Sequence, residues 1–511
     1  MHFADWIVLA IYIAVIVAIG VWANRRQTDT EAYFVGNRNL PWWAAGISII
    51  ATSFSAASIL GVPGLAYTDN LWYFQYSFGD VLAAVLVAAL FIPFFHKVHG
   101  LTTAYEYLEA RFDLKTRLLG SSLFSLTVLL RAGTLLFGAA LLFSAVAPTD
   151  FIPGLTGVEE AVVIFGIIAI IYTVLGGISA VVWTDVIQFA IMSLGVVASM
   201  AVVVMGTPGG WDAAFAEAGE LGKLTIFHLE EPVARTGLLT AIFGYGLLAL
   251  SLFGTNQQPV QRYMTVKNPR EAQSALLLGV SAGVIGVLLS LLLGVFLYIF
   301  YAHHPAALPE GLSADQIMPH FVNTQVPPIL TGMLVAAVFA AAMSSLDSAL
   351  NSLSAALTVD FLTRFRSRVS EAQRLRFAKI VVVTAGLLGI GIGIYSSRTE
   401  APLIDLILTF MGYFAGGLLG LFLLGMLTKR ANGTGAFTGA IVGTLIVLMV
   451  TQNDIPLPRL YEWFGFGPIP FIWSTAVGLV ITLVVGYLVS LLGRPSSPER
   501  LESTTVRWTV L

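Results

Sequence analysis

Residues 340–354 read Ala-Ala-Ala-Met-Ser-Ser-Leu-Asp-Ser-Ala-Leu-Asn-Ser-Leu-Ser. Ser344, Asp347, Ser348 and Asn351 recur at i, i+3, i+4 and i+7, so they share one helix face. The surrounding apolar stretch, 329–362, exceeds the about 20 residues that cross a bilayer. A carboxylate at that depth is costly and faces a bundle interior or a water-filled cavity. Clusters of oxygen alone suit hard cations such as sodium. A broken helix nearby supplies more oxygens, because its unwound turn frees carbonyls. The rival reading has the serines bonding back to their own helix and Asp347 in a structural contact. The whole polar set on one face favours an ion or solute face.

Composition places that helix in a membrane. The chain of 511 residues is 57% hydrophobic and 11% charged, with mean hydropathy +0.85. A soluble domain carries about 25% charged residues. Soluble multidomain enzymes, disordered chains and nucleic-acid binders are excluded, and the bilayer becomes the expected partner. No segment marks an obligate protein partner. The absence of cysteine rules out a disulfide framework and thiolate metal sites.

Thirteen stretches are long and apolar enough to span: 4–23, 42–68, 72–96, 118–147, 160–181, 183–206, 237–256, 273–301, 329–362, 378–396, 403–427, 434–451 and 470–492. Arg25 and Arg26 follow the first stretch rather than precede it, so it reads as a retained helix and not a signal peptide. With the N-terminus outside, only Lys223, Arg235, Arg398 and Arg459 fall outside and Arg131 falls within a span. The other 21 of the 26 Lys+Arg, Arg262 among them, fall inside. This predicts thirteen spans in the inner (plasma) membrane, with a cytoplasmic C-terminus.

Spans two to six and seven to eleven form two five-span units. Their leading helices carry Gly46 to Ser58 and Phe243 to Gln257, both rich in small polar residues. Five is odd, so the units start on opposite sides, which is the arithmetic of an inverted repeat. Close helix packing is the simpler use of such residues. The chain thus divides into an extra helix (4–23), repeat one (42–206), repeat two (237–427), two C-terminal helices (434–492) and a tail (493–511) that reads as flexible. Outside loops at 207–236 and 302–328 offer a short helix from Trp211 to Gly222 and a helix start at Ser313.

Arg131 sits near the middle of a span, too deep to snorkel. Its guanidinium wants a carboxylate. That partner is either Asp80 of the third span or a solute carboxylate held by two parallel hydrogen bonds.

These residues resemble the sodium/solute symporter family, which includes sodium/glucose, proline and sialic acid transporters. The matching marks are the stripe at 340–352, Tyr172 to Ile178 with Val182 to Gln188, Val260 to Tyr263, Ala104 to Phe112 and Leu427 to Asn432. The resemblance implies an all-α membrane protein with the leucine-transporter fold and one extra helix in front. It implies a first sodium site from the backbone oxygens of Ala51, Phe54 and Ala341 and the hydroxyls of Ser344 and Ser345. A second sodium site, found in sialic acid types, maps to Ser344, Asp185, Asp347 and Ser348. There Asp347 stands where that type has serine, and Asp185 has a rival role as partner of a cytoplasmic Arg or Lys. Solute contacts map to Ser55, Ser58, Tyr73, Ser77 and Arg131, where Ser77 in place of glutamine is a departure.

The implied function is sodium-coupled import of a small solute by alternating access, with one or two sodium ions. A carboxylate-bearing solute such as sialic acid comes first. A neutral sugar, another monocarboxylate or an amino acid comes second. Tyr73, Phe74 and Tyr245 are expected to close over it. A membrane enzyme is disfavoured because the seven histidines lie in loops or at span ends. A sensor is disfavoured because no output module follows the last helix.

Overall fold

In a bilayer each backbone polar group must be satisfied within the protein, so long apolar runs become helices. The computed structural model describes residues 1–24, 30–97, 101–147, 151–175, 177–366, 368–399, 401–451, 459–460 and 469–505. Arg25, Arg26 and the end of the tail lie outside the described residues. All regular structure among the described residues is helical.

The first helix, α1, is Phe3–Asn24. The second stretch is broken into α2, Trp42–Ser53, and α3, Ala56–Thr68, which meet at 55°. The third is α4, Leu71–Lys97, with a π-helical segment at Val87–Phe91. A loop helix α5, Glu106–Arg111, precedes α6, Leu114–Val146, α7, Gly157–Leu175, and α8, Ile178–Met205. The loop helix α9 is Gly210–Glu220. The seventh stretch is α10, Thr240–Thr255, and Asn256 separates it from α11, Gln257–Met264. Then come α12, Pro269–His303, and α13, Ala314–Thr324, which Ser313 and Gln316 start with a capping box. The last long helices are α14, Leu330–Phe365, α15, Glu371–Ser397, α16, Leu403–Leu427, α17, Gly433–Val450, and α18, Phe471–Leu492.

Helix thus occupies each of the thirteen stretches. Among the described residues, nine helices are long and apolar enough to cross a membrane, or ten with α2 and α3 as one bent span. The stretches at 4–23, 160–181 and 237–256 stand outside that count. The fifth ends earlier than the sequence reading, at Leu175, and α8 begins after Gly177. Glycine is a poor helix former because it loses most backbone freedom on folding. The tail reads as flexible, but Pro498–Thr504 forms a further helix, α19, and Tyr107 donates to the Thr504 carbonyl at 3.0 Å.

Helix α14 is the central post: nearly all its residues are buried, and it packs on α1, α6, α8 and α15. Asp5 of α1 accepts from the N–H groups of Ile329 at 2.7 Å and Gly332 at 3.0 Å. These are donors that the start of a helix leaves without partners. At its other end, Asp360 accepts from Thr103, Arg117 and Ser121 at 2.7, 2.7 and 2.9 Å. Arg117 also pairs with Glu106 and Glu109, and Glu109 pairs with Arg364. That network ties α5 and α6 to α14.

Helices α4 and α10 meet at Gly79 and Gly246. A Cβ on Gly79 would lie 2.6 Å from the Ala241 carbonyl and 2.9 Å from the Gly246 Cα. Only glycine permits that approach, and it sets Asp80 beside Tyr245.

Candidate ion and solute site

The break between α2 and α3 frees backbone oxygens. Phe54 and Ser55 are extended, with φ/ψ of −80/93 and −105/−178. The Ser55 N–H donates to Ser58 Oγ at 3.3 Å instead of the Ala51 carbonyl. The Ser58 N–H donates to the Ser55 carbonyl at 2.9 Å instead of the Phe54 carbonyl. Both Ala51 and Phe54 therefore present carbonyls without helical partners. Ser345 of α14 reaches the same turn, donating to the Thr52 carbonyl at 3.0 Å. Ser344 donates to Asp185 Oδ1 at 2.6 Å. Each hydroxyl uses its proton on the protein and keeps lone pairs for a cation. All five residues of the expected first site are buried.

The polar face of α14 divides between neighbours. Ser344 bonds to α8, and Ser348 lies 2.9 Å from Thr52 Oγ1 on α2. Asn351 accepts from Gln261 of α11 at 2.9 Å. Asp347 accepts from Thr173 of α7 at 2.7 Å.

Arg262 of α11 occupies the centre of the second expected site. Its guanidinium pairs with Asp185 Oδ2 at 3.1 Å and donates to Ser48 Oγ at 2.7 Å and Thr52 Oγ1 at 2.9 Å. It also donates to Ser348 Oγ and to the Gln258 carbonyl. Ser48 bonds to Asp185 as well. Both Arg262 and Asp185 are fully buried. Of the four residues expected to hold a second sodium, Asp185 and Ser348 touch this guanidinium and Ser344 touches Asp185.

A cavity of about 130 Å³ opens beside the break. That is about ten times the space one water needs. Ser55, Ser58, Tyr73 and Arg131 line it, as do Asp80 and Tyr245. Ser77 and Phe74 are not among its lining residues. Arg131, 6% exposed, donates to the Thr52 carbonyl at 3.0 Å and to Gln258 Oε1 at 3.2 Å. No ion pair joins it to Asp80 among the described residues. Asp80 accepts instead from the Tyr245 hydroxyl at 3.4 Å. The rest of the wall is largely apolar, with Leu248, Leu252, Val280, Ile404, Leu408 and Met411.

The family model for the sodium:solute symporters matches residues 33–443. The chain is a member of the sodium:solute symporter family. This symporter is 31% identical to the sodium/sialic acid symporter of Aliivibrio fischeri, over 95% of this chain and 92% of that one. It is 32% identical to the human sodium/iodide cotransporter, over 89% of this chain and 70% of that one. It is similar in structure to a sodium-coupled sialic acid symporter solved in a substrate-bound, outward-open state, with TM-score 0.85 and 29% identity. That match covers 97% of this chain and 99% of the other. The symporter therefore has the leucine-transporter fold and is a multi-pass, sodium-coupled membrane transporter.

Two side chains at the candidate site were not assigned to it from the sequence. Arg262 counted there as an inside loop charge, yet it is buried on α11. Gln258, the partner of Arg131, went unremarked. The available signal was the run Gln257, Gln258, Gln261 and Arg262, whose members are all fully buried.

Proposed function

We propose that the protein imports a carboxylate-bearing solute with one sodium ion per cycle, by alternating access across thirteen spans. The N-terminus lies outside, the C-terminus in the cytoplasm, and the membrane is the inner one. Residues 42–206 and 237–427 act as the two repeats. Sodium sits between the break and α14, on the carbonyls of Ala51, Phe54 and Ala341 and the hydroxyls of Ser344 and Ser345. The solute carboxylate sits on Arg131, beside Ser55, Ser58 and Tyr73. The second place, around Asp185, Asp347 and Ser348, is served in this conformation by the Arg262 guanidinium. Sialic acid heads the named solutes because relatives of that name span nearly the whole chain. The iodide relative, equally similar, argues that overall identity alone does not choose the solute.

The observation that carries this reading is a single oxygen. The Thr52 carbonyl accepts from Ser345 on the ion side and from Arg131 on the solute side, both at 3.0 Å. Sodium drawing the break toward α14 thereby sets the position of Arg131. Coupling needs only that both ligands favour one state.

Thermal stability in sodium against potassium tests it. Sodium raises the melting temperature by mass action, and a carboxylate raises it further only with sodium present. In Ser344→Ala and Ser345→Ala the sodium dependence moves to about tenfold or higher concentration, the loss of one oxygen ligand to a charged group. An unchanged sodium response in both variants rejects the ion site.

A further inference from the structure

Arg131 and Asp80, of opposite sign, face the solute cavity, the first buried and the second half-buried, and among the described residues neither has a counter-ion. Arg131 bonds only to the neutral oxygens of Thr52 and Gln258, and its Nε has no partner among the described residues. Among the described residues Asp80 has one hydrogen bond, from Tyr245, at a distance long for an O–H···O contact. Intramembrane charges left in this condition are costly, and a ligand that meets them relieves the cost. The surroundings of Asp80 point to the chemistry of its partner. Tyr73 and Tyr245 line the cavity with it, and Tyr76 stacks on Tyr245 at 4.7 Å between ring centroids. A carboxylate among aromatic rings is a recognition site for an ammonium group, through charge and through the ring quadrupole. The close approach at Gly79 holds this arrangement. The cavity's other wall, from α10, α12 and α16, is mostly Leu, Val and Ile.

We propose that the transported solute is a zwitterion with an apolar body, its carboxylate on Arg131 and its ammonium group on Asp80. This narrows the proposed function, moving a zwitterion ahead of sialic acid, and rests on its assignment of the carboxylate to Arg131. A polyhydroxylated anion such as sialic acid meets Asp80 with neutral hydroxyl donors and no ammonium, and sets further hydroxyls against the apolar wall, which costs affinity. Asp80 is thus a specificity residue of the symporter.

The test uses matched pairs on the purified full chain in sodium: leucine with 4-methylpentanoate, proline with cyclopentanecarboxylate, and 4-aminobutyrate with butyrate. Sialic acid is included. Affinity is read from melting-temperature titrations. We expect at least one amine-bearing solute to bind about 10–100-fold tighter than its amine-free partner, the range of one charge-assisted hydrogen bond. In Asp80→Asn that ratio falls to near one, and in Asp80→Glu it partly recovers. Sodium alone still raises the melting temperature of both variants, which shows them folded. The inference is overturned if every amine-free partner binds as tightly as its amine-bearing match. It is also overturned if the ratio survives in Asp80→Asn, or if sialic acid binds tighter than every zwitterion. Arg131→Ala separates the two readings. Loss of all carboxylate binding there, with no change in Asp80→Asn, rejects only the ammonium assignment. Unchanged binding in Arg131→Ala rejects the carboxylate assignment beneath it.

Discussion

Arg131 and Ser345 donate to one and the same oxygen, the carbonyl of Thr52, each at 3.0 Å. One residue belongs to the solute cavity and the other to the expected sodium site. Linkage then requires reciprocity. Ser345→Ala should weaken solute binding at fixed sodium by some factor, and removal of the solute should weaken sodium binding in the native chain. In Arg131→Ala the solute should no longer change sodium affinity. Titrating each ligand at several levels of the other measures the factor. Equal sodium affinity with and without solute in the native chain would contradict the shared-carbonyl coupling.

The Arg262–Asp185 pair is enclosed on all sides. Breaking a buried pair by removing one partner costs about 3–5 kcal/mol, because the other charge is left behind. Arg262→Gln should therefore lower stability strongly. Asp185→Asn in the same chain should recover much of the loss, since both charges are then gone. A double-mutant cycle on unfolding or inactivation gives the interaction energy. Additive losses would show that the pair is not the organising contact of α2, α8, α11 and α14.

Glu109, in a loop helix, supplies a pH dependence outside the spans. Burial pushes its carboxyl up, but hydrogen bonds and charge from Arg364 and Arg117 outweigh burial and hold it below its ordinary value of 4.5. The folded form thus binds its proton less readily than the unfolded form. Its stabilisation is present above about pH 4.5 and is lost as pH falls through the lowered folded value. The carboxylate is partly exposed, so the contribution is at most about 1 kcal/mol. Glu109→Gln should flatten the acid side of the stability profile below about pH 4.5. A profile of unchanged slope rules out this contribution.

Ile329 holds φ 73 and ψ −50 just before α14. That lies close to a strained γ-turn and suits glycine far better than a β-branched residue. Its side chain is 54% exposed, so little packing is lost on removing it. Ile329→Gly should raise stability by about 1 kcal/mol. Asp5→Ala, which removes the acceptor for the Ile329 and Gly332 N–H groups, should lower it by about 1–2 kcal/mol. Thermal unfolding of both variants checks the pair of signs.

Much of this architecture was legible because hydropathy is a property of contiguous residues. The eleventh stretch ends where the helix does, at 403 and 427. The small polar run before Ser58 coincides with the break between α2 and α3, where Ser55 and Ser58 cap the start of α3. An inside Arg or Lys as partner of Asp185 was one of the two roles the sequence offered, and Arg262 fills it; which residue it would be was not legible, because spacing places a residue on a face of its own helix only. Its neighbours Ser48, Asp185 and Ser348 come from three other helices, and a positive charge near a span end resembles an ordinary inside residue. The absence of an Arg131–Asp80 pair was illegible for the same reason. Both residues face one cavity, but from separate helices.

Arg262 is covalently part of the chain, and this has an electrical consequence. It neutralises Asp185 without ever being a passenger, so the current per turnover counts only sodium and solute. One sodium with a zwitterion moves one positive charge inward each cycle, and the membrane voltage drives uptake. One sodium with a monoanion moves none, and the same protein would be indifferent to voltage.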